Sequence, residues 1–124
     1  MKVINEKIIL AYGLTRVEQD KLNSLLSTQN ILPCKVIEKD MGNFTIKEML
    51  QNIESSKDKI ELPDEKLLLF SSYEDKELYA LIDSIRSIKS SETILAAVTP
   101  TSVNWTVSYL FEHLIEEREA YRKK

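Results

Sequence analysis

Glycine is nearly missing from this sequence, with Gly13 and Gly42 the two present in 124 residues. Loops that cradle phosphates need several glycines so that backbone amides can approach the ligand, so dinucleotide and P-loop chemistry are excluded as readings. Cysteine is equally scarce. Cys34 is single and has no internal disulfide partner, and with one histidine, His113, the chain has no Cys/His set for zinc. This usage points to a reducing, cytoplasmic compartment. Long apolar runs are also lacking, and Met1-Lys2-Val3-Ile4-Asn5-Glu6-Lys7 carries charge before any hydrophobic stretch begins. Neither export nor membrane insertion is expected.

An excess of positive charge is missing too. Seventeen basic and twenty acidic residues give a net charge of −3, and they are interspersed, so no broad field attracts phosphate backbones or anionic lipid. Nucleic acid and membranes are therefore not expected partners. The dense basic stretch Arg122-Lys123-Lys124 follows the acidic Glu116, Glu117 and Glu119 and reads as a solvated helix end that complements its own dipole.

What is present is an ordinary globular composition, 43% apolar and 30% charged, in a length that suits one domain, residues 1–124. The most informative feature is an internal resemblance. Asn43-Phe44-Thr45-Ile46 falls on Asn104-Trp105-Thr106-Val107 at a shift of 61 positions, and Met49-Leu50 and Ile53 fall on Leu110-Phe111 and Leu114. Upstream, Lys7-Ile8-Ile9-Leu10 resembles Lys66-Leu67-Leu68-Leu69 at a shift of 59. A period near sixty residues suggests a duplicated unit rather than a solenoid. The first repeat covers about residues 6–55, a linker about 56–65, and the second repeat about 66–122.

Each copy reads as strand, helix, strand, helix. The first strands are Ile8 to Ala11 and Leu67 to Phe70, and the second strands are Cys34 to Ile37 and Ile94 to Val98. Val17, Leu22, Leu25 and Leu26 in one copy, and Leu78, Leu81, Ile82, Ile85 and Ile88 in the other, have helical spacing. Three strands are continuous apolar runs of the kind covered on both faces, while Lys35-Val36-Ile37-Glu38-Lys39 alternates like an edge.

With right-handed crossovers and the halves related along the strand direction, these elements predict an α/β fold with one four-stranded, mainly parallel sheet. The expected order is 2-1-3-4, with helices on both faces and a switch point between the first and third strands. An alternative sets the halves antiparallel with all helices on one face, which would call for a dimer partner.

The second copy resembles a family defined as a domain of unknown function, number 3783. The resemblance is carried by Lys66-Leu67-Leu68-Leu69-Phe70-Ser71 and the acidic turn after it, by Ala96-Ala97-Val98-Thr99-Pro100-Thr101, and by Asn104-Trp105-Thr106 ahead of Leu110. It implies a small, mostly microbial protein, and brings no activity or residue role with it.

Phospho-receiver domains share the doubly wound plan but use clustered carboxylates at strand ends, where this chain has Tyr12-Gly13-Leu14-Thr15 and Ser71-Ser72-Tyr73. A catalytic pairing of Cys34 with His113 is weaker than the plain reading, in which Cys34 is a small buried hydrophobe and His113 pairs with Glu117 one turn on.

The recurring Asn-aromatic-Thr element supports two readings. Asn43, Thr45, Asn104 and Thr106, with Thr99, Thr101, Ser71 and Ser72, could line a crevice for a small polar or anionic ligand at the strand-to-helix junctions, and Tyr12 and Tyr73 could stack on a ring. In the structural reading, Asn and Thr satisfy the free amides of the helix starts while Phe44 and Trp105 anchor the helices. Thr45-Ile46-Lys47-Glu48 is a capping box, and Thr106-Val107-Ser108-Tyr109 lacks the matching glutamate. These are the residue types that capping requires, which favours structure.

The sequence thus predicts a small non-catalytic binding or regulatory module contacting a small ligand or a protein. The alternative is a small enzyme using the polar Thr/Ser/Asn cluster. No catalytic residue, metal ligand or cofactor is assigned. The long last helix, with Tyr109 and Tyr121, could dock a second subunit and make a homodimer.

Overall fold

A computed structural model describes residues 7–51, 58–86 and 92–122. Ile53 and Ile88 of the predicted helices, the residues up to Glu6, and Lys123 and Lys124 lie outside the described residues. The elements run β1 (Ile8–Tyr12), α1 (Arg16–Thr28), β2 (Lys35–Val36), α2 (Ile46–Gln51), β3 (Leu67–Ser71), α3 (Asp75–Ile85), β4 (Ile94–Ala97), a 3₁₀ turn (Ser102–Asn104) and α4 (Val107–Arg122).

The strand order β2-β1-β3-β4 agrees with the expected 2-1-3-4. The strand directions do not agree with a mainly parallel sheet. β1 and β2 are parallel, as are β3 and β4, but the central pair β1/β3 is antiparallel, with Leu10 opposite Leu69 and Tyr12 opposite Leu67. The sheet is mixed. The handedness rule acts within each strand–helix–strand unit, so it leaves the direction of the second unit relative to the first undetermined. An antiparallel centre also needs no crossover helix between β1 and β3.

Alternation along the strands divides the core between two faces. Ile8, Leu10, Tyr12, Leu67 and Leu69 pack with Ile46 and Leu50 of α2 and with Val107, Leu110 and Phe111 of α4. Ile9, Ala11, Leu68 and Phe70 pack with Leu22 and Leu26 of α1 and with Leu81 and Ile85 of α3. Both faces are therefore covered by helices, so of the alternative reading the antiparallel direction is found and the single layer of helices is not.

Each helix starts where local chemistry allows it. Thr15 accepts a hydrogen bond from the Glu18 amide at 3.2 Å while Glu18 Oε1 accepts from the Thr15 amide at 2.9 Å, a capping box that opens α1. At its other end Asn30 takes a left-handed φ of 57°, and the Ile31 amide returns to the Leu26 carbonyl at 2.8 Å. The Glu74 amide donates to Glu77 Oε1 at 3.2 Å at the start of α3.

The two outer strands differ from expectation. β2 is two residues long, although the Ile37 amide extends its ladder to the Ala11 carbonyl at 2.8 Å. β4 reads as a strand covered on both faces, yet it lies at the sheet edge with Ile94, Leu95 and Ala96 half-buried and Ala97 exposed. Of the segment read as a linker, the described part from residue 58 is mostly exposed but is anchored at one point. Leu62 is buried, and its amide donates to the Lys39 carbonyl at 2.8 Å.

Candidate functional site

Because β1 and β3 run in opposite directions, their carboxyl ends open at opposite ends of the sheet. A cleft of about 710 Å³ lies at the carboxyl end of β1, lined by Tyr12 at the end of that strand and Gly13 after it, by Ile37 and Lys39 after β2, and by Asp64 and Lys66 ahead of β3. Gly13 has φ of 77°, and a Cβ there would sit 2.1 Å from the Glu65 carbonyl oxygen. Only glycine allows the chain to turn out of β1 so close to the backbone entering β3.

The rim of the cleft is a set of ion pairs. Lys66 reaches Glu18 Oε1 at 2.8 Å, Lys39 reaches Asp64 Oδ1 at 2.8 Å, and Arg118 from α4 grips Glu65 with two bonds of 2.8 and 2.9 Å. The two-pronged Arg118–Glu65 contact ties the last helix to the chain entering β3. Burial pushes the Glu18 carboxyl up, but its hydrogen bonds from Lys66 and from Thr15 outweigh that and hold it below the ordinary range. The hydrogen bond between Lys39 and Asp64 raises the ammonium and lowers the carboxyl. Tyr12 is buried, donates its hydroxyl to the Pro63 carbonyl at 2.9 Å, meets Phe111 edge-on at 5.2 Å, and is raised by that burial.

The structure divides the predicted polar residues among three places. Thr45 and Thr106 meet in an antiparallel bridge, flanked by hydrogen bonds from the Ile46 amide to the Trp105 carbonyl at 2.9 Å and from the Val107 amide to the Phe44 carbonyl at 2.8 Å. Both threonines cap their helices. Thr45 Oγ1 accepts from the Glu48 amide at 3.1 Å, with Glu48 Oε1 returning to the Thr45 amide at 2.9 Å, and Thr106 Oγ1 accepts from the Tyr109 amide at 3.1 Å. Asn43 is half-buried in the turn before α2, and Asn104 is exposed at the end of the 3₁₀ turn. The caps are thus threonines, one residue past each aromatic.

Ser71 is buried at the carboxyl end of β3, followed by exposed Ser72 with a left-handed φ of 68°. Thr101 is exposed in the turn after β4, where Thr99 and Ser102 bond each other's amides at 2.9 Å. Tyr12 stands at the other end of the sheet, so Tyr12 and the two serines do not share a crevice. Tyr73 packs its ring edge-on to Phe70, with centroids 6.1 Å apart.

Cys34 and His113 lie on opposite faces. Cys34 packs against the α1/α3 core and its thiol is raised by burial, whereas His113 meets Trp105 edge-on at 5.2 Å and bonds Glu117 at 3.0 Å, as spacing predicts. Among the described residues no group of three or more His, Cys, Asp or Glu side chains is placed to hold a metal ion. Sequence reasoning missed the charged rim. Glu18 was readable from its capping box, but Glu65 and Arg118 lie 53 residues apart with no shared pattern.

The fold and cleft define a small mixed-sheet α/β domain. Residues 66–121, from the lysine ahead of β3 to the last turn of α4, match the model of a family described as Domain of unknown function (DUF3783). The resemblance read from Leu67-Leu68-Leu69-Phe70 and Asn104-Trp105-Thr106 is to this family. No curated protein and no solved structure matches the chain.

Proposed function

We propose that this chain is a non-catalytic binding or regulatory module, and that the cleft at the carboxyl ends of β1 and β2 takes a small polar ligand or a polar segment of a protein. The observation that carries this reading is the cleft's position. It opens at the carboxyl ends of a parallel strand pair, where α/β sheets hold their ligands, and its rim presents both signs of charge. A polar ligand would enter by exchanging its groups for the solvent-facing Lys39–Asp64 pair, at little cost because exposed pairs contribute little. The net charge of −3 argues against nucleic acid as the partner, and the single cysteine supports a cytoplasmic setting.

The reading includes an architecture of two related halves joined antiparallel. Several pairs of positions support it. Leu10 and Leu69, 59 apart in sequence, are opposite each other in the central ladder. Gly13 and Ser72, with the same spacing, both take a left-handed φ directly after their strands. Leu22 and Leu26 correspond to Leu81 and Ile85 in the helices that follow. The Ile37 amide bonds the Ala11 carbonyl as the Val98 amide bonds that of Phe70, each at 2.8 Å. The family match begins and ends with one such half.

The test is a thermal-shift screen of small polar and charged metabolites, run beside capture of partners from lysate. The reading expects a ligand or partner that raises the unfolding midpoint of the parent and loses that effect in Lys39→Ala. Silence in both arms, or an effect untouched by Lys39→Ala and Glu38→Ala, contradicts it.

A further inference from the structure

The two edges of the sheet are built differently. At the β2 edge the pairing strand is two residues long and is hemmed by Pro33, Lys35, Glu38 and Lys39, and Asn23 Oδ1 accepts the Cys34 amide at 3.0 Å. Short length, proline and charge are the devices that keep an edge from recruiting further strands. β4 is twice as long, and its nearest charge and proline, Glu92 and Pro100, lie outside the strand. From Thr93 to Thr99 it carries no charge and no proline, and its composition is that of a strand inside a sheet.

Its backbone faces outward in part. The Ile94 amide bonds the Lys66 carbonyl and the Val98 amide bonds the Phe70 carbonyl, each at 2.8 Å, so the amides and carbonyls of Leu95 and Ala97 point away from β3. Among the described residues no hydrogen bond reaches these outward groups. Beside them on the α1/α3 face, Leu95 is half-buried together with Leu78 and Ile82 of α3.

We propose that the β4 edge pairs with β4 of a second copy of this chain, antiparallel across a two-fold axis, to make one continuous eight-stranded sheet. A second copy fits better than a foreign strand for two reasons. The edge is self-complementary, since an uncharged strand meets no like charge in its own copy, and Leu95 opposite Ala97 of the second copy brings the two small Ala96 side chains together on the axis. The other edge is blunted, so β4 cannot continue head-to-tail onto β2 of the next copy. The assembly closes at two instead of growing into a filament. This pairing satisfies the outward groups of Leu95 and Ala97 and covers Leu78, Leu95 and Ile82. It also accounts for an interior-type strand standing at an edge.

The experiment is the solution mass of the full chain over a dilution series, beside Ala97→Lys and Tyr109→Glu. The parent and Tyr109→Glu, whose change lies on α4, are expected at twice the 14.3 kDa of one chain. Ala97→Lys, which places a charge on the exposed residue of the edge, is expected at the mass of one chain with unchanged far-ultraviolet dichroism. A monomeric parent, or an Ala97→Lys variant that stays dimeric, overturns the proposal. If Ala97→Lys does not fold, amide exchange in the parent decides. Slow exchange at Leu95 and Ala97 that quickens on dilution upholds the paired edge, and fast exchange at both overturns it.

Discussion

Thr45 and Thr106 face each other in an antiparallel bridge, each at the start of a helix, and each uses its hydroxyl oxygen to accept an amide of the turn that follows. One short contact thus joins α2 to α4 and fixes where both begin. The threonines of the Asn-aromatic-Thr element are therefore engaged in holding helix ends, and the flanking backbone bonds of Ile46 and Val107 keep the two ends in register.

The caps predict a stability pattern. Thr45→Ala and Thr106→Ala each lose a cap, at a cost of about 1 kcal/mol, which lowers the unfolding midpoint of a domain this size by roughly 3 to 6 °C. Thr45→Ala is expected to cost more, because it also removes the hydrogen bond that the Thr45 hydroxyl donates to Glu48 Oε1 at 3.2 Å. Asn43→Ala and Asn104→Ala are expected to change the midpoint less than either. Thermal unfolding of the four variants at one protein concentration checks this order.

A second contrast lies in the turns after β1 and β3. Gly13→Ala forces a Cβ to within 2.1 Å of the Glu65 carbonyl in a left-handed conformation, so the entry to β3 must move. The expected loss is about 2 kcal/mol or more. Ser72→Gly, at φ of 68°, removes a side chain from the same conformational region, and stability is expected to stay within about 1 kcal/mol of the parent. Urea unfolding of both variants measures the difference.

The strands, the helix that follows each, and the strand order were legible because apolar runs such as Leu67-Leu68-Leu69-Phe70 and the three-four spacing of Leu22 and Leu26 are local signals. The direction of the central pair was not. Ile8 to Tyr12 and Leu67 to Ser71 are apolar on both faces, so either direction buries the same side chains, and composition cannot choose between them. The expected order placed β4 at an edge, as found, although its composition is that of a strand covered on both faces. At the site, the Thr45 cap was legible from Thr45-x-x-Glu48, while Thr106 has no matching glutamate, and the rim pairs Lys39–Asp64 and Glu65–Arg118 join segments brought together only by the antiparallel sheet.

The Glu18–Lys66 pair gives the acid limb of stability a defined origin. Glu18 is held below its ordinary value of 4.5 in the folded chain. A depressed carboxyl contributes stability that is fully present above the unfolded value and is lost as pH falls through the folded one. The difference in stability between the parent and Glu18→Gln is therefore expected to be largest near neutral pH and to shrink as pH drops below 4.5. Lys66→Met should remove most of the same pH dependence. A difference that stays constant down through the acid range would contradict the assignment.

The antiparallel pairing of β1 with β3 places their carboxyl ends at opposite ends of the sheet and leaves the cleft at that of β1. Nuclear Overhauser contacts across β1 and β3 test it directly. The account predicts cross-strand backbone contacts that pair Ile8 with Ser71, Leu10 with Leu69 and Tyr12 with Leu67, so that one partner's number falls as the other's rises. Contacts in which both numbers rise together, Ile8 with Leu67 through Tyr12 with Ser71, would mean a parallel centre, shared carboxyl ends and a different site.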